Sequence, residues 1–73
     1  MLKELIIIHS RITKDECMRI VLTRDDYVIH VDKTDLVGEF NNCFRIIRAN
    51  GRIVSINPDQ VAMVSTMPKE AYL

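Results

Sequence analysis

The dipeptide Asn50-Gly51 sits between two runs rich in β-branched residues inside the segment Cys43 to Ile56. Asn and Gly adopt the positive φ angles that a two-residue type I′ turn requires, so the segment reads as a β-hairpin. That turn pairs Arg48 with Ile53, Ile47 with Val54 and Ile46 with Ser55. Strand alternation then puts Ile47, Val54 and Ile56 on one face and Phe44, Ile46 and Ile53 on the other. Both faces are substantially apolar, and such a sheet needs a cover on each side.

The chain has 73 residues. A chain of this length forms one domain, here spanning 1-73, and buries only about 60% of the surface its unfolded form exposes. Small domains compensate with disulfides, a metal or self-association. Cys17 and Cys43 form no CxxC pair and follow no signal-peptide pattern, which points to packing thiols in a reducing cytoplasm. The longest apolar run, Leu5-Ile6-Ile7-Ile8, falls far short of the roughly 20 residues of a membrane span, so a soluble protein is expected. Ten basic and ten acidic side chains cancel, which removes the global positive field used by most non-specific nucleic-acid binders. Self-association is the device that the composition supports.

Met1 to His9 is rich in Ile and Leu with no polar alternation after Glu4, as in a strand covered on both faces; a buried helix turn has the same pattern, and the segment is read as strand or mixed. Thr13-Lys14-Asp15-Glu16 has the spacing of a helix capping box. Against a helix there, a turn centred on Asp25-Asp26 pairs Leu22 with Ile29, Ile20 with Val31 and Arg19 with Asp32, matching apolar with apolar and basic with acidic. Cys17 to Thr23 and Tyr27 to Asp32 are therefore read as a hairpin with Met18, Ile20, Leu22, Ile29 and Val31 facing the core. Its other face carries Val21, Thr23, Val28 and His30, too apolar for a plain solvent surface. Lys33 to Asn42 is polar and irregular, with Gly38 as a bend.

Asn57-Pro58-Asp59-Gln60 interrupts the sheet, because proline lacks a ladder donor and suits a turn after Asn. The β-branched Val61, Val64 and Thr66 favour a final strand ended by Pro68. The expected fold is mostly β, a small barrel of about five strands with a 3₁₀ turn before the last. The alternative is α+β, with short helices near 14-22 and 58-66.

The stretch Met18 to Thr66 resembles an Sm-like domain, a small barrel of the SH3 type. The resemblance lies in the spacing of the Asp25-Asp26 turn, the mid-chain Phe40-Asn41-Asn42 and the ending Ile56-Asn57-Pro58-Asp59-Gln60-Val61. In that family the mid-chain segment builds a pocket that stacks and hydrogen-bonds an RNA base; Glu39, Asn41 and Asn42 stand in its place. The Lys-His pair of the bacterial RNA-chaperone branch is not reproduced by Asn57-Pro58. Ring assembly, if it follows the resemblance, implies pairing of exposed strand edges between protomers.

No nucleophile motif surrounds Ser10, Ser55 or Ser65, no Gly-rich loop offers a phosphate cradle, and His9, His30, Cys17 and Cys43 lack the close spacing of zinc ligands. A non-enzymatic protein without cofactor or metal is expected. Two functions from different classes follow. The first is a regulatory, self-associating module that engages a protein partner or its own copies through Leu5, Ile7, Val21, Val28, Ile47 and Val54. The second is a nucleic-acid-binding regulator that uses Arg45, Arg48, Arg52, Phe40, Asn41 and Asn42, with aromatic rings limited to Tyr27, Phe40, Phe44 and Tyr72 for base stacking.

Overall fold

In chain order, the computed structural model places a helix α1 (Leu2–Arg11), strands β1 (Glu16–Leu22), β2 (Val28–Asp32), β3 (Leu36–Phe40), β4 (Cys43–Ile47) and β5 (Ile53–Ile56), a 3₁₀ turn (Pro58–Gln60), strand β6 (Val61–Pro68) and a second 3₁₀ turn (Lys69–Ala71). Residues 1–24 and 27–71 are described; the expected turn residues Asp25-Asp26, and Tyr72, lie outside them. The strands form two antiparallel three-stranded sheets, sheet A in the order β2-β1-β6 and sheet B in the order β3-β4-β5. The fold is mostly β, as expected. The five-strand barrel is corrected: the described residues make six strands in two sheets and no closed barrel.

The additional strand comes from the segment read as irregular. Leu36 to Phe40 pairs along its length with Cys43 to Ile47, and Phe40 lies directly opposite Cys43. The two residues between them, Asn41 and Asn42, have φ of 52° and 64°, the pair of left-handed conformations that closes a type I′ hairpin. Asparagine tolerates that conformation better than other residues with a Cβ.

The amino-terminal segment, read as strand or mixed, is a helix. Leu5, His9 and Ile12 recur at helical spacing and are buried, with Leu2, Ile6 and Ile8 packed partly against the same core. The polar residue that seemed to end an apolar run, His9, turns inward and donates from Nε2 to the Asp32 carbonyl at 2.8 Å. Lys33 Nζ donates to the His9 carbonyl at 2.7 Å, so the helix end is tied to the end of β2 from both directions. Tertiary burial here overrides the modest helix propensity of three consecutive isoleucines.

The capping-box contact exists without a helix. Thr13 N–H donates to Glu16 Oε1 at 2.9 Å and Glu16 N–H to the Thr13 carbonyl at 3.1 Å, closing a tight turn that feeds β1. Residues 16–22 are strand, and of 58–66 only Pro58–Gln60 is helical, as a 3₁₀ turn; the α+β alternative does not hold at either place. Asn57 Oδ1 caps that turn by accepting from Asp59 N–H at 3.0 Å, and β6 follows directly, as the sequence implies.

Both hairpin registers differ from the expected ones, with unequal consequences. In β1–β2 the pairs are Met18 with Val31, Arg19 with His30 and Ile20 with Ile29, a slip of two residues. An even slip keeps every side chain on its face, and Met18, Ile20, Ile29 and Val31 are buried as expected. In β4–β5 the pairs are Ile47 with Ile53, Ile46 with Val54, Arg45 with Ser55 and Phe44 with Ile56, a slip of one. Arg48 N–H donates to the Arg52 carbonyl at 2.7 Å and Gly51 N–H to the Arg48 carbonyl at 2.9 Å. The loop is thus Ala49-Asn50-Gly51, three residues with the glycine left-handed at φ 87°, not the expected two-residue turn. An odd slip regroups the faces: Phe44, Ile46, Val54 and Ile56 now share the inner one.

The core lies between the sheets and under α1. It comprises Leu5, Ile12, Met18, Ile20, Ile29, Val31, Phe44, Ile46 and Ile56.

Candidate interaction face

Once the inner face of sheet B is assigned, its outer face follows from alternation. Leu36, Ile47 and Ile53 lie side by side in one row across all three strands, since Leu36 pairs with Ile47 and Ile47 with Ile53. The next row is Gly38, Arg45 and Ser55, and the third brings Phe40 beside Cys43. Leu36 is 66% exposed, Ile53 58% and Phe40 52%. The row Leu36–Ile47–Ile53 is a contiguous aliphatic stripe of the kind that marks an interaction site, and Phe40 lies apart from it beyond the middle row. Arg45 reaches from the middle row toward the third. Its guanidinium sits 4.5 Å from the centre of the Phe40 ring, in a cation–π contact.

The six residues expected to contact nucleic acid therefore separate into two groups. Phe40 and Arg45 meet on the outer face of sheet B, with Asn41 and Asn42 at the adjoining hairpin tip. Arg48 and Arg52 flank the other hairpin loop. Arg48 is committed to the fold: its Nη1 donates to the His30 carbonyl at 2.7 Å and to Asp35 Oδ2 at 2.9 Å. Asp35 is buried and also accepts from Asp32 N–H at 3.0 Å through Oδ2, so this ion pair joins the end of β4 to the turn between β2 and β3. Arg52 is exposed.

The six expected interface residues are likewise dispersed. Leu5 is fully buried in the chain's own core and has no surface to offer. Ile7 is exposed on the outer side of α1, and Val21 pairs with Val28 on the outer face of sheet A, both half-buried. Ile47 lies on the outer face of sheet B, and Val54 on the inner. Leu36 and Ile53, the most exposed members of the row, are missing from the sequence-derived set. Ile53 was grouped with Phe44 and Ile46 by the two-residue turn, and Leu36 lay in a segment without expected structure. The signal for both was present in the turn residues, Gly51 and Asn41-Asn42.

The titratable groups cluster elsewhere, on and around sheet A. Burial, and then the nearby Arg19 and Arg48 guanidiniums, hold the His30 imidazole below its ordinary range. Burial pushes the Asp32 carboxyl up, but hydrogen bonds from Thr34 and the Lys69 ammonium outweigh it and leave the group below its ordinary value. Burial, followed by the Asp32 carboxylate, raises the Cys17 thiol, which makes it a poor nucleophile. Cys17 and Cys43 are unbonded thiols in different sheets. Among the described residues no three His, Cys, Asp or Glu side chains gather as metal ligands, and no helix is long and apolar enough to cross a membrane.

No protein-family model, curated protein or solved structure matches this chain.

Proposed function

We propose that this protein is a non-enzymatic, regulatory assembly module that self-associates through the outer face of sheet B. The observation that carries the reading is the row Leu36–Ile47–Ile53, an aliphatic stripe that crosses every strand of the sheet, exposed at Leu36 and Ile53 and half-buried at Ile47. The row suits a second copy of itself. A two-fold axis lying along it sets each aliphatic residue against its own copy, and sends the two Arg45 side chains to opposite sides of the contact. The edges of β5 and β6, each the last strand of its sheet, extend the surface available for pairing between copies. The resemblance to Sm-like domains supports such edge pairing, because here too a 3₁₀ turn precedes a last strand that returns beside the first. Two free cysteines support a cytoplasmic setting.

The second reading, nucleic-acid binding, is favoured by one observation, the Arg45 guanidinium over the exposed Phe40 ring beside the Asn41-Asn42 tip. A ring and a cation on an open sheet face can stack a base and meet a phosphate.

One measurement separates the readings. Light scattering at micromolar concentration should give an oligomer whose mass is unchanged by nuclease treatment and a high-salt wash. Leu36→Lys and Ile53→Lys, both at exposed positions away from the core, should each shift it toward monomer by at least tenfold in dissociation constant. A strictly monomeric wild type, or an oligomer indifferent to both substitutions, overturns the proposal. A mass that falls on nucleic-acid removal favours the second reading.

A further inference from the structure

The two sheets leave a recess of about 150 Å³ where the edge strands β2 and β5 face one another across the mouth of the core. It is lined by Tyr27, Ile29, Arg48, Arg52 and Val54. The floor is apolar: Ile29 is 7% exposed and Val54 packs against the core cluster. The rim is cationic and aromatic. Arg48 and Arg52 stand opposite one another across the three-residue loop, held there by the bond from Arg48 N–H to the Arg52 carbonyl at 2.7 Å. Among the described residues no carboxylate lines the recess.

The charge balance at this point favours one negative charge. Asp35 neutralises Arg48 from behind, through Nη1, at 2.9 Å. A guanidinium carries five donors, so Nε and Nη2 of Arg48 remain for a ligand while the geometry of Nη1 is fixed by Asp35 and the His30 carbonyl. That arrangement holds the planar fork in place before a ligand arrives, which reduces the entropy lost on binding. Arg52 adds a positive charge that forms no ion pair among the described residues, and the Tyr27 ring, 62% exposed, adds a flat apolar wall with a hydroxyl.

We infer that this recess binds a small monocarboxylate with an aromatic or branched aliphatic body, the carboxylate between Arg48 and Arg52 and the body on Ile29, Val54 and the Tyr27 ring. The size sets the class. About 150 Å³ accommodates a single ring or a short branched chain, whereas sites for larger ligands run from about 300 Å³ upward. The apolar floor disfavours a bare inorganic anion, which would leave Ile29 and Val54 facing water. The site stands on the opposite side of sheet B's edge from the aliphatic row, and it does not depend on whether copies of the chain associate.

Benzoate titrated into isotope-labelled protein, followed by amide and side-chain NMR shifts, tests the assignment. Saturable shifts are expected at Ile29, Val54 and the Arg48 and Arg52 side chains, with a dissociation constant on the order of a millimolar for a ligand of this size. Arg52→Gln, at an exposed position outside the ion pair, should weaken binding by about tenfold while leaving the remaining spectrum unchanged. Tyr27→Ala should weaken it less. Benzyl alcohol, the neutral counterpart, should bind at least tenfold more weakly than benzoate, and inorganic phosphate should not compete. Absence of saturable shifts at these residues, equal binding by the Arg52→Gln variant, equal binding of benzyl alcohol, or stronger binding of phosphate would overturn the inference.

Discussion

Sheets A and B have the same number of strands and similar apolar inner faces, but their outer faces are finished differently. On sheet A the outer positions Arg19, Val21, Val28, His30 and Ser65 are half-buried and Cys17 is fully covered, while Met63, opposite Val21 on the edge strand β6, is 51% exposed. Lys69, beyond β6, reaches back to the Asp32 carboxylate at 3.5 Å, and its N–H donates to the Asp15 carbonyl at 2.9 Å. On sheet B the corresponding positions Leu36, Phe40 and Ile53 are more than half exposed, with no later segment of the described chain laid over them. The difference locates the incomplete side of the molecule. Sheet A covers most of its outer face with its own polar groups and tail, Met63 excepted, and sheet B presents a row of aliphatic side chains that gain most by meeting another surface.

The Arg48–Asp35 pair ties the end of β4 to the turn between β2 and β3, and removing it should have the largest effect on stability. Arg48→Met keeps much of the aliphatic length but leaves the buried Asp35 carboxylate with one backbone donor and no cation. Breaking a buried pair from one side costs about 3–5 kcal/mol, and because the Arg48 side chain is 28% exposed the expected loss is nearer 2–3 kcal/mol. Urea denaturation measures it directly. The double variant Arg48→Met with Asp35→Leu should recover much of the loss, since replacing both partners by apolar groups removes the stranded charge. A loss below about 0.5 kcal/mol in the single variant would mean that the sheets are held by the shared core alone.

The second expected effect concerns how sheet B acquires its two faces. Gly51 has φ 87°, and a Cβ there would meet no atom within 4 Å, so Gly51→Ala tests backbone conformation without a clash. The cost should be about 1–2 kcal/mol. The same substitution at Gly38, which has equally open surroundings but lies in β3 without a positive φ, should cost little and serves as the control. Equal losses at the two positions would show that loop conformation does not fix the β4–β5 register.

That register also explains how far the fold was legible in the residues. Alternation in β1 and β2 identified Met18, Ile20, Ile29 and Val31 as core even though the pairing was wrong by two, because an even slip is invisible to burial. Asn50-Gly51 correctly announced a hairpin, but both a two-residue and a three-residue loop can contain that pair, and the choice reverses which aliphatic residues face out. Asn41-Asn42 carries equal turn information, but the resemblance to an Sm-like domain assigns it to a base-binding segment instead. The helix was hidden for a different reason. Three isoleucines in succession carry no helical polarity of their own, and the face they present is decided by what Leu5, His9 and Ile12 meet in the folded protein. The aliphatic row could not be seen until β3 and the β4–β5 register were in place, because its members come from three strands and share no sequence neighbourhood.

The smallest expected effect probes the closed side of the comparison. His30 lies on the outer face of sheet A with its imidazole held below the ordinary value of 6.5 by burial and by Arg19 and Arg48. With the folded pKa below the unfolded one, the unfolded chain takes up a proton first as the pH falls. Stability is therefore independent of this group above about pH 6.5 and declines below it, until the folded state is protonated as well. Asp32 has the same sign at lower pH: its folded pKa is depressed, so its contribution is present above the ordinary value of 3.8 and is lost as the pH falls through the folded one. The interval from about pH 6.5 to 4.5 thus isolates the histidine from that carboxylate. Urea midpoints across it should fall on acidification in the wild type and fall less in His30→Asn, while the two proteins should show the same slope above pH 7. Parallel slopes throughout would mean that the outer face of sheet A admits a proton as freely as the unfolded chain does, and would remove the distinction between a closed face and an open one.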